Sequence, residues 1–147
     1  MVPLVDIRAS KDGNTSAAFH QKCDNKGATI VIAKITNSEQ IFGGYNPLFW
    51  DLSNLWKSTN DSFIFSFTDR MDLQTAKLGY SNGNQYSIGC FSIQGPSFSG
   101  GFHLFFNNSG YLYNNYYNYC VYTSVNGIKS VSKHLKLKLD QNYTAHL

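Results

Sequence analysis

The sequence predicts a mainly β fold with short helices (α+β), arranged as an antiparallel two-sheet β-sandwich flanked by small helices. Short segments rich in β-branched and aromatic residues alternate with turns that contain Gly, Asn or Pro along the 147 residues. Aromatic residues make up 16% of the chain and charged residues only 14%, which favours a globular core over a disordered chain. One segment, at residues 16–23, has the pattern of a helix.

A short helix and the turn that ends it are predicted directly after Thr15. The hydroxyl of Thr15 is a suitable acceptor for the free N–H groups of a first helical turn. Phe19 and Cys23, four residues apart, then lie on one face of the helix. Asn25 and Gly27 tolerate a positive φ, so we expect the chain to reverse there.

An antiparallel hairpin is predicted next. Ala28–Ile35 (ATIVIAKI) shows little alternation, which indicates a strand covered on both faces, and Gln40–Tyr45 (QIFGGY) is the second strand. Gly43-Gly44 within it indicates a bulge or close backbone packing. Asn46-Pro47 ends the strand, and Phe49-Trp50 follows as an apolar anchor.

The middle of the chain predicts a loop followed by further strands. In the loop Asp51–Asp61, we expect Leu52, Leu55 and Trp56 to pack inward as one turn of helix. Other segments with strand patterns are Leu4–Ala9, Ser62–Phe67, Gln85–Ile93, Phe102–Phe106 and Lys133–Leu139, the last closing a sheet. Segments without a strand pattern are the turn at Asp12-Gly13, the irregular segment Gly95–Gly101 and the long surface loop at 107–122.

Composition excludes several classes of function. The net charge of +3 is too small for a typical nucleic-acid-binding face. No apolar run approaches 18 residues, so we expect no membrane insertion. Cys23, Cys90 and Cys120 are odd in number and lack CxxC spacing, which argues against a disulfide framework or a four-cysteine zinc site. Reduced thiols favour an intracellular, cytoplasmic location.

The sequence contains no strong catalytic, metal-binding or cofactor-binding pattern, and none is expected. The best candidate for a nucleophile is Cys23, with His20 three residues before it on the same helix. The position of Cys23 beside Phe19 favours a buried, inert thiol instead. The glycine segments lack the GxxxxGK[ST] form of a phosphate-binding loop.

Several spaced motifs resemble the TLDc domain of the oxidation-resistance proteins. The matching segments are Arg8–Gly13 (RASKDG), Phe19–Thr29 (FHQKCDNKGAT), Ile41–Tyr45 (IFGGY) with Trp50, Asp61–Phe67 (DSFIFSF) and Gly95–Gly101 (GPSFSGG). The residues that carry the resemblance, as determinants of the fold or of a surface, are Asp12, Gly13, Cys23, Asp24, Asn25, Gly27, Phe42, Gly43, Gly44, Tyr45, Trp50, Gly100 and Gly101.

This resemblance implies two sheets flanked by helices and a single TLDc-like domain over residues 1–147, with the N-terminal helical segment of the family missing. It also implies a non-enzymatic protein-interaction module linked to oxidative-stress resistance, with a protein partner such as subunits of the V-ATPase. Two alternatives stay open: a redox enzyme that uses Cys23, and a carbohydrate-binding β-sandwich that uses the exposed Tyr and Asn residues of 111–122.

Overall fold

The computed structural model is built mainly from antiparallel strands. It describes residues 6–13, 15–34, 39, 41–69, 71–72, 74, 76–98, 105–106, 111–113, 123–125, 137–138 and 144–146. The helices are α1 (Ala9–Asp12) and α2 (Ser16–Cys23). The strands are β1 (Asp6–Arg8), β2 (Thr29–Lys34), β3 (Ile41–Asn46), β4 (Leu55–Lys57), β5 (Phe63–Phe67), β6 (Lys77–Tyr80), β7 (Ile88–Cys90), β8 (Ser97–Phe98), β9 (Phe105–Phe106), β10 (Tyr111–Tyr113), β11 (Thr123–Val125), β12 (Leu137–Lys138) and β13 (Thr144–His146).

Within the described residues, these strands form one large sheet and two small ones. The large sheet has seven strands in the order β1-β13-β2-β3-β5-β6-β11, and the small sheets have the orders β4-β7-β8 and β12-β10-β9. All of the strand pairs are antiparallel. The predicted class, mainly β with short helices, is therefore confirmed.

Helix α2 begins and ends where the sequence predicts. Thr15 has an extended backbone (φ −96°, ψ 158°), and its Oγ1 accepts a hydrogen bond from the backbone N of Ala18 at 3.1 Å. The helix ends at Cys23, and Asn25 (φ 58°) and Gly27 (φ 92°) have the positive φ angles that reverse the chain. The cap and the turn residues are both local signals, which is why the sequence alone located them.

Strands β2 and β3 form the predicted antiparallel hairpin. Their register places Val31 opposite Gly44, and the ladder continues without interruption on both sides of β3, so the glycine pair does not form a bulge. Val31 and Ala33 are buried, but Ile30 is 37% exposed. The expectation that both faces of β2 are covered is therefore wrong, because side chains alternate between the two faces and the face of Ile30 is less completely packed.

Gly43 and Gly44 allow close packing on both faces of the large sheet. A Cβ atom at Gly44 would lie 2.7 Å from the nearest atom of the Phe98 ring. A Cβ atom at Gly43 would collide with the carbonyl oxygen of Val31 and lie 2.6 Å from the Phe65 ring. Since Phe98 belongs to β8, its contact with Gly44 packs the β4-β7-β8 sheet on one face of the seven-stranded sheet.

The segment between Trp50 and β5 differs from the prediction. Leu55 and Trp56 belong to strand β4, which pairs with β7, and not to a turn of helix. Adjacent side chains of a strand point to opposite faces, so only one of the two packs inward. The Trp56 ring lies 4.9 Å from the Phe91 ring, whereas Leu55 is 62% exposed and Leu52 is 57% exposed.

Two further element boundaries differ from the prediction, one because of a local turn and one because of a strand pairing. The strand predicted at Gln85–Ile93 is limited to β7, because residues 91–94 form a turn in which the backbone N of Gln94 donates to the carbonyl of Phe91 at 3.0 Å. The segment Gly95–Gly101 was expected to be irregular, but Ser97-Phe98 forms β8 beside β7.

The terminal predictions are met in part. The predicted strand Leu4–Ala9 contains β1, which pairs with β13, but Ala9 already belongs to α1. Asp12 ends the short helix α1, and Gly13 follows with φ 101°. The strand predicted at Lys133–Leu139 contains β12, which pairs with β10 in a small sheet. Within the predicted surface loop 107–122, Tyr111–Tyr113 instead forms β10, because it pairs with β9 and β12. The other residues of both segments lie outside the described residues.

We expect Gly44→Ala to lower the free energy of unfolding by about 2 kcal/mol, because the new methyl group overlaps the Phe98 ring. Urea denaturation followed by tryptophan fluorescence measures this change. Phe98→Leu, tested alone and together with Gly44→Ala, is the control, since the smaller side chain leaves room for the new methyl group. The double variant should lose less than the sum of the two single losses; strictly additive losses would show that this contact does not limit the packing.

Candidate functional site

Trp50 occupies the centre of the region that carries the sequence motifs. Its side chain is fully buried, and Nε1 donates a hydrogen bond to Oγ1 of Thr29 at 2.7 Å. Its ring makes edge-to-face contacts with the rings of Phe19 and Phe98, with centroids 5.4 and 5.6 Å apart. Its carbonyl accepts a hydrogen bond from the backbone N of Asn25 at 3.0 Å. Trp50 thus joins α2, the large sheet and strand β8.

His20 links α2 to the 91–94 turn. Its side chain is 6% exposed, and Nδ1 lies 2.8 Å from Oδ1 of Asp24, one helical turn further along the chain. Nε2 lies 3.0 Å from the carbonyl oxygen of Phe91 and 2.8 Å from that of Gln94. Both nitrogens of the ring are therefore occupied by partners that accept hydrogen bonds.

Cys23 is a buried thiol and not an activated nucleophile. Its side chain is 0% exposed, and burial together with the neighbouring Asp24 carboxylate raises the pKa of the thiol to about 12. His20 does not act as its base, because Asp24 and two backbone carbonyls engage both ring nitrogens. Burial also raises the pKa of Cys90, which is fully buried. Neither environment resembles that of a reactive cysteine.

Three motif residues between positions 23 and 50 lie around this core. Cys23 is on α2 and faces inward, Asp24 forms an isolated β-bridge with Trp50, and Gly44 contacts the ring of Phe98 that also contacts Trp50. Tyr45, which follows Gly44 in β3, faces the other side of the sheet, where its ring lies 5.2 Å from the ring of Phe63.

The remaining motif residues are placed differently. Oδ1 of Asp12 forms an ion pair with Nζ of Lys22 at 3.7 Å, which connects α1 to α2. Gly13, with a positive φ, lies between the two helices. Phe42 occupies β3, where its backbone lies opposite Ala33. Gly100 and Gly101, which were also predicted as motif residues, lie outside the described residues.

Lys57 organises the loop that follows Trp50. Its Nζ donates to Oδ2 of Asp51 at 2.7 Å and to the carbonyl of Phe49 at 2.8 Å, and it lies 3.8 Å from the centroid of the Phe49 ring. Partial burial would raise the pKa of Asp51, but the hydrogen bonds from Lys57 and Ser53 outweigh it and lower that pKa to about 2.

Four exposed apolar side chains lie on two segments of the chain, residues 49–55 and the 91–94 turn, and we call them the apolar rim. They are Phe49 (47% exposed), Leu52 (57%), Leu55 (62%) and Ile93 (76%). Oδ1 of Asn54 accepts hydrogen bonds from the backbone N and the hydroxyl of Ser92, at 3.0 and 3.1 Å. These bonds bring the segment 49–55 beside the 91–94 turn. Phe49-Trp50 was predicted as an apolar anchor; Trp50 is fully buried, whereas Phe49 is largely exposed.

Sequence reasoning missed the ion pair of Lys57 and the three hydrogen-bond contacts of His20. The i, i+4 spacing of His20 and Asp24 was a usable signal for one contact, since residues four apart meet on a helix. The carbonyl partners of His20 are more than 70 residues away, so no local pattern could reveal them. The apolar rim was missed because apolar residues in a loop were expected to pack inward.

Other chemistries have no counterpart in the part of the chain that the structure describes. No group of three or more His, Cys, Asp or Glu residues there is arranged to hold a metal ion. The described helices include none that is long and apolar enough to cross a membrane.

Comparison with known families agrees with the motif pattern. The family model of the TLDc domain matches residues 8–138 of this chain, from the last residue of β1 to the end of β12. The matched range includes α2, Trp50, the 91–94 turn and the apolar rim. No curated protein matches the chain.

We expect Cys23 to resist alkylation in the folded protein, because a thiol with a pKa of about 12 is almost entirely protonated at pH 8 and its side chain is inaccessible. Iodoacetamide labelling followed by peptide mass spectrometry measures the rate at each cysteine. The same chain in urea is the control and should be labelled at Cys23 readily. Labelling at similar rates in both states would contradict the buried, inert assignment.

Acid should weaken the fold in part through Asp51. Its pKa of about 2 lies below the usual value, so the Lys57 pair stabilises the native state above about pH 4 and loses this contribution as the pH falls toward 2. The contribution is at most about 2 kcal/mol. Urea denaturation between pH 6 and pH 2 should show a smaller acid loss for Asp51→Asn than for the unaltered protein. The exposed Asp61→Asn is the control, and an Asp51→Asn curve that follows this control would refute the prediction.

Proposed function

Since this chain belongs to the TLDc domain family, which is linked to oxidative-stress resistance, we propose that it is a non-enzymatic protein-interaction module. In this proposal it acts in the cytoplasm, and its partners are subunits of the vacuolar proton pump, the V-ATPase. The observation that carries the binding role is the apolar rim, where four large apolar side chains are exposed on residues 49–55 and on the 91–94 turn.

The composition of the rim supports a protein partner. Clustered exposed apolar side chains are characteristic of surfaces that bind other proteins. Large side chains that become buried at the centre of an interface contribute most of the binding free energy. In this proposal, Phe49, Leu52, Leu55 and Ile93 are the side chains that the partner buries.

The loop that presents the rim is held in place by polar contacts. Lys57 joins the carbonyl of Phe49 to the carboxylate of Asp51, and Oδ1 of Asp51 also accepts a hydrogen bond from the backbone N of Ser53 at 3.0 Å. On the other side, Asn54 is bonded to the 91–94 turn. A loop fixed in this way loses little conformational entropy when a partner binds, which favours affinity.

The alternatives receive less support. A redox enzyme that uses Cys23 requires an accessible thiolate, whereas burial raises the pKa of this thiol to about 12. A sugar-binding role was based on the aromatic and Asn residues of 111–122, and among these only the strand Tyr111–Tyr113 lies within the described residues. Nothing observed in that strand favours a sugar over a structural role.

We expect the double variant Leu52→Ser/Leu55→Ser to bind V-ATPase subunits at least about tenfold more weakly, since it removes two apolar anchors from the rim. Both side chains are mostly exposed, so the melting temperature should change little. Biolayer interferometry with individually purified subunits measures the dissociation constants. Met71→Ser, at a residue that is 81% exposed and belongs to a different turn, is the matched control.

The outcomes separate the two parts of the proposal. Binding that is lost in the double variant and retained in Met71→Ser supports both the partner and the rim. Equal binding by all three proteins would refute the rim as the contact. A folded, unaltered protein that binds none of the subunits would refute the V-ATPase as the partner.

A further inference from the structure

The hydrogen-bond partners of His20 determine how many hydrogens its ring carries. The carbonyl oxygens of Phe91 and Gln94, 3.0 and 2.8 Å from Nε2, are acceptors only, so Nε2 must carry a hydrogen. The other ring nitrogen, Nδ1, lies 2.8 Å from a carboxylate oxygen of Asp24, which is also an acceptor when ionised. The surroundings are thus complementary to an imidazolium ion, with a hydrogen on each nitrogen.

Neither neutral tautomer satisfies these partners. With the hydrogen on Nε2 alone, the lone pair of Nδ1 faces the Asp24 carboxylate. With the hydrogen on Nδ1 alone, the lone pair of Nε2 faces the two carbonyl oxygens. Since the His20 side chain is only 6% exposed, water has little access to relieve either repulsive contact.

The groups around His20 leave Asp24 as its counter-ion. On α2, the Cys23 thiol is uncharged because its pKa is raised, and Lys22 pairs with Asp12 at the outer surface. The turn that holds the ring, with the sequence FSIQ, has no titratable side chain and presents only carbonyl oxygens. The Phe19 ring packs against the imidazole with its centroid 5.3 Å away, which keeps that side apolar.

We propose that His20 is a proton-dependent clamp, which holds α2 against the 91–94 turn more strongly when the imidazole is charged than after it has lost its proton. The charged ring makes an ion pair with Asp24 and donates to both carbonyls; the neutral ring loses at least one of these contacts. The contribution of these contacts to the free energy of unfolding therefore declines as the ring loses its proton with rising pH.

Nitrogen-15 NMR of the unaltered protein with labelled histidine tests the charge state directly. At neutral pH, the two nitrogens of His20 should both have the chemical shifts of protonated imidazolium nitrogens, assigned by the signals that disappear in His20→Gln. A ring with one unprotonated nitrogen at neutral pH would overturn the proposal. This measurement needs no partner protein, so its result is independent of the proposed function.

Urea denaturation at a series of pH values tests the clamp itself. His20→Gln retains an N–H donor for the carbonyls but does not titrate, and the other histidines are present in both proteins. The ratio of the folding equilibrium constants, unaltered to His20→Gln, should fall with rising pH by up to tenfold per pH unit, the limit for one proton. A ratio independent of pH would overturn the proposal. If His20→Gln does not fold, Asp24→Asn replaces it, since its amide oxygen still accepts from Nδ1 but has no charge, and the same outcomes apply.

Discussion

The fold depends on keeping the Trp50 indole buried with its N–H group hydrogen-bonded. Burial of an indole stabilises the folded state by about 2–3 kcal/mol, because its apolar surface is removed from water. An unpaired buried N–H group would cancel about 1–3 kcal/mol of that stabilisation. Thr29 provides the acceptor, and Phe19 and Phe98 enclose the ring from the helix and from the small sheet. The position of one side chain thereby fixes the position of α2 and of two sheets around it.

The glycine pair of β3 follows from the same requirement. Phe98 reaches the Trp50 ring only if β8 approaches the large sheet closely, and Gly44 leaves the space that a Cβ atom would fill. Gly43 has the equivalent role on the opposite face, where the Phe65 ring lies over the backbone. Adjacent residues of a strand face opposite sides, so a sheet that is approached closely on both faces needs two successive glycines.

The features predicted correctly from the sequence are those encoded by neighbouring residues. The cap at Thr15, the positive φ angles at Asn25 and Gly27, and the β2–β3 hairpin each depend on a few consecutive side chains. The errors come from contacts between distant segments. Strand β4 exists because it pairs with β7, about 30 residues further along the chain, and this pairing turns Leu55 outward. The partners of His20 are equally distant.

The buried core and the exposed rim are consequences of the same chain geometry. Phe49 and Trp50 are consecutive, and burial of the indole leaves Phe49 on the outside, where Lys57 covers one face of its ring. The bonds from Lys57 to Asp51 and to the Phe49 carbonyl then fix the loop that carries Leu52. A change at Trp50 would therefore displace the rim as well as open the core, whereas a change at the rim leaves the core intact. Loss of binding in a folded rim variant is consequently informative about the interface, and loss of binding in a Trp50 variant is not.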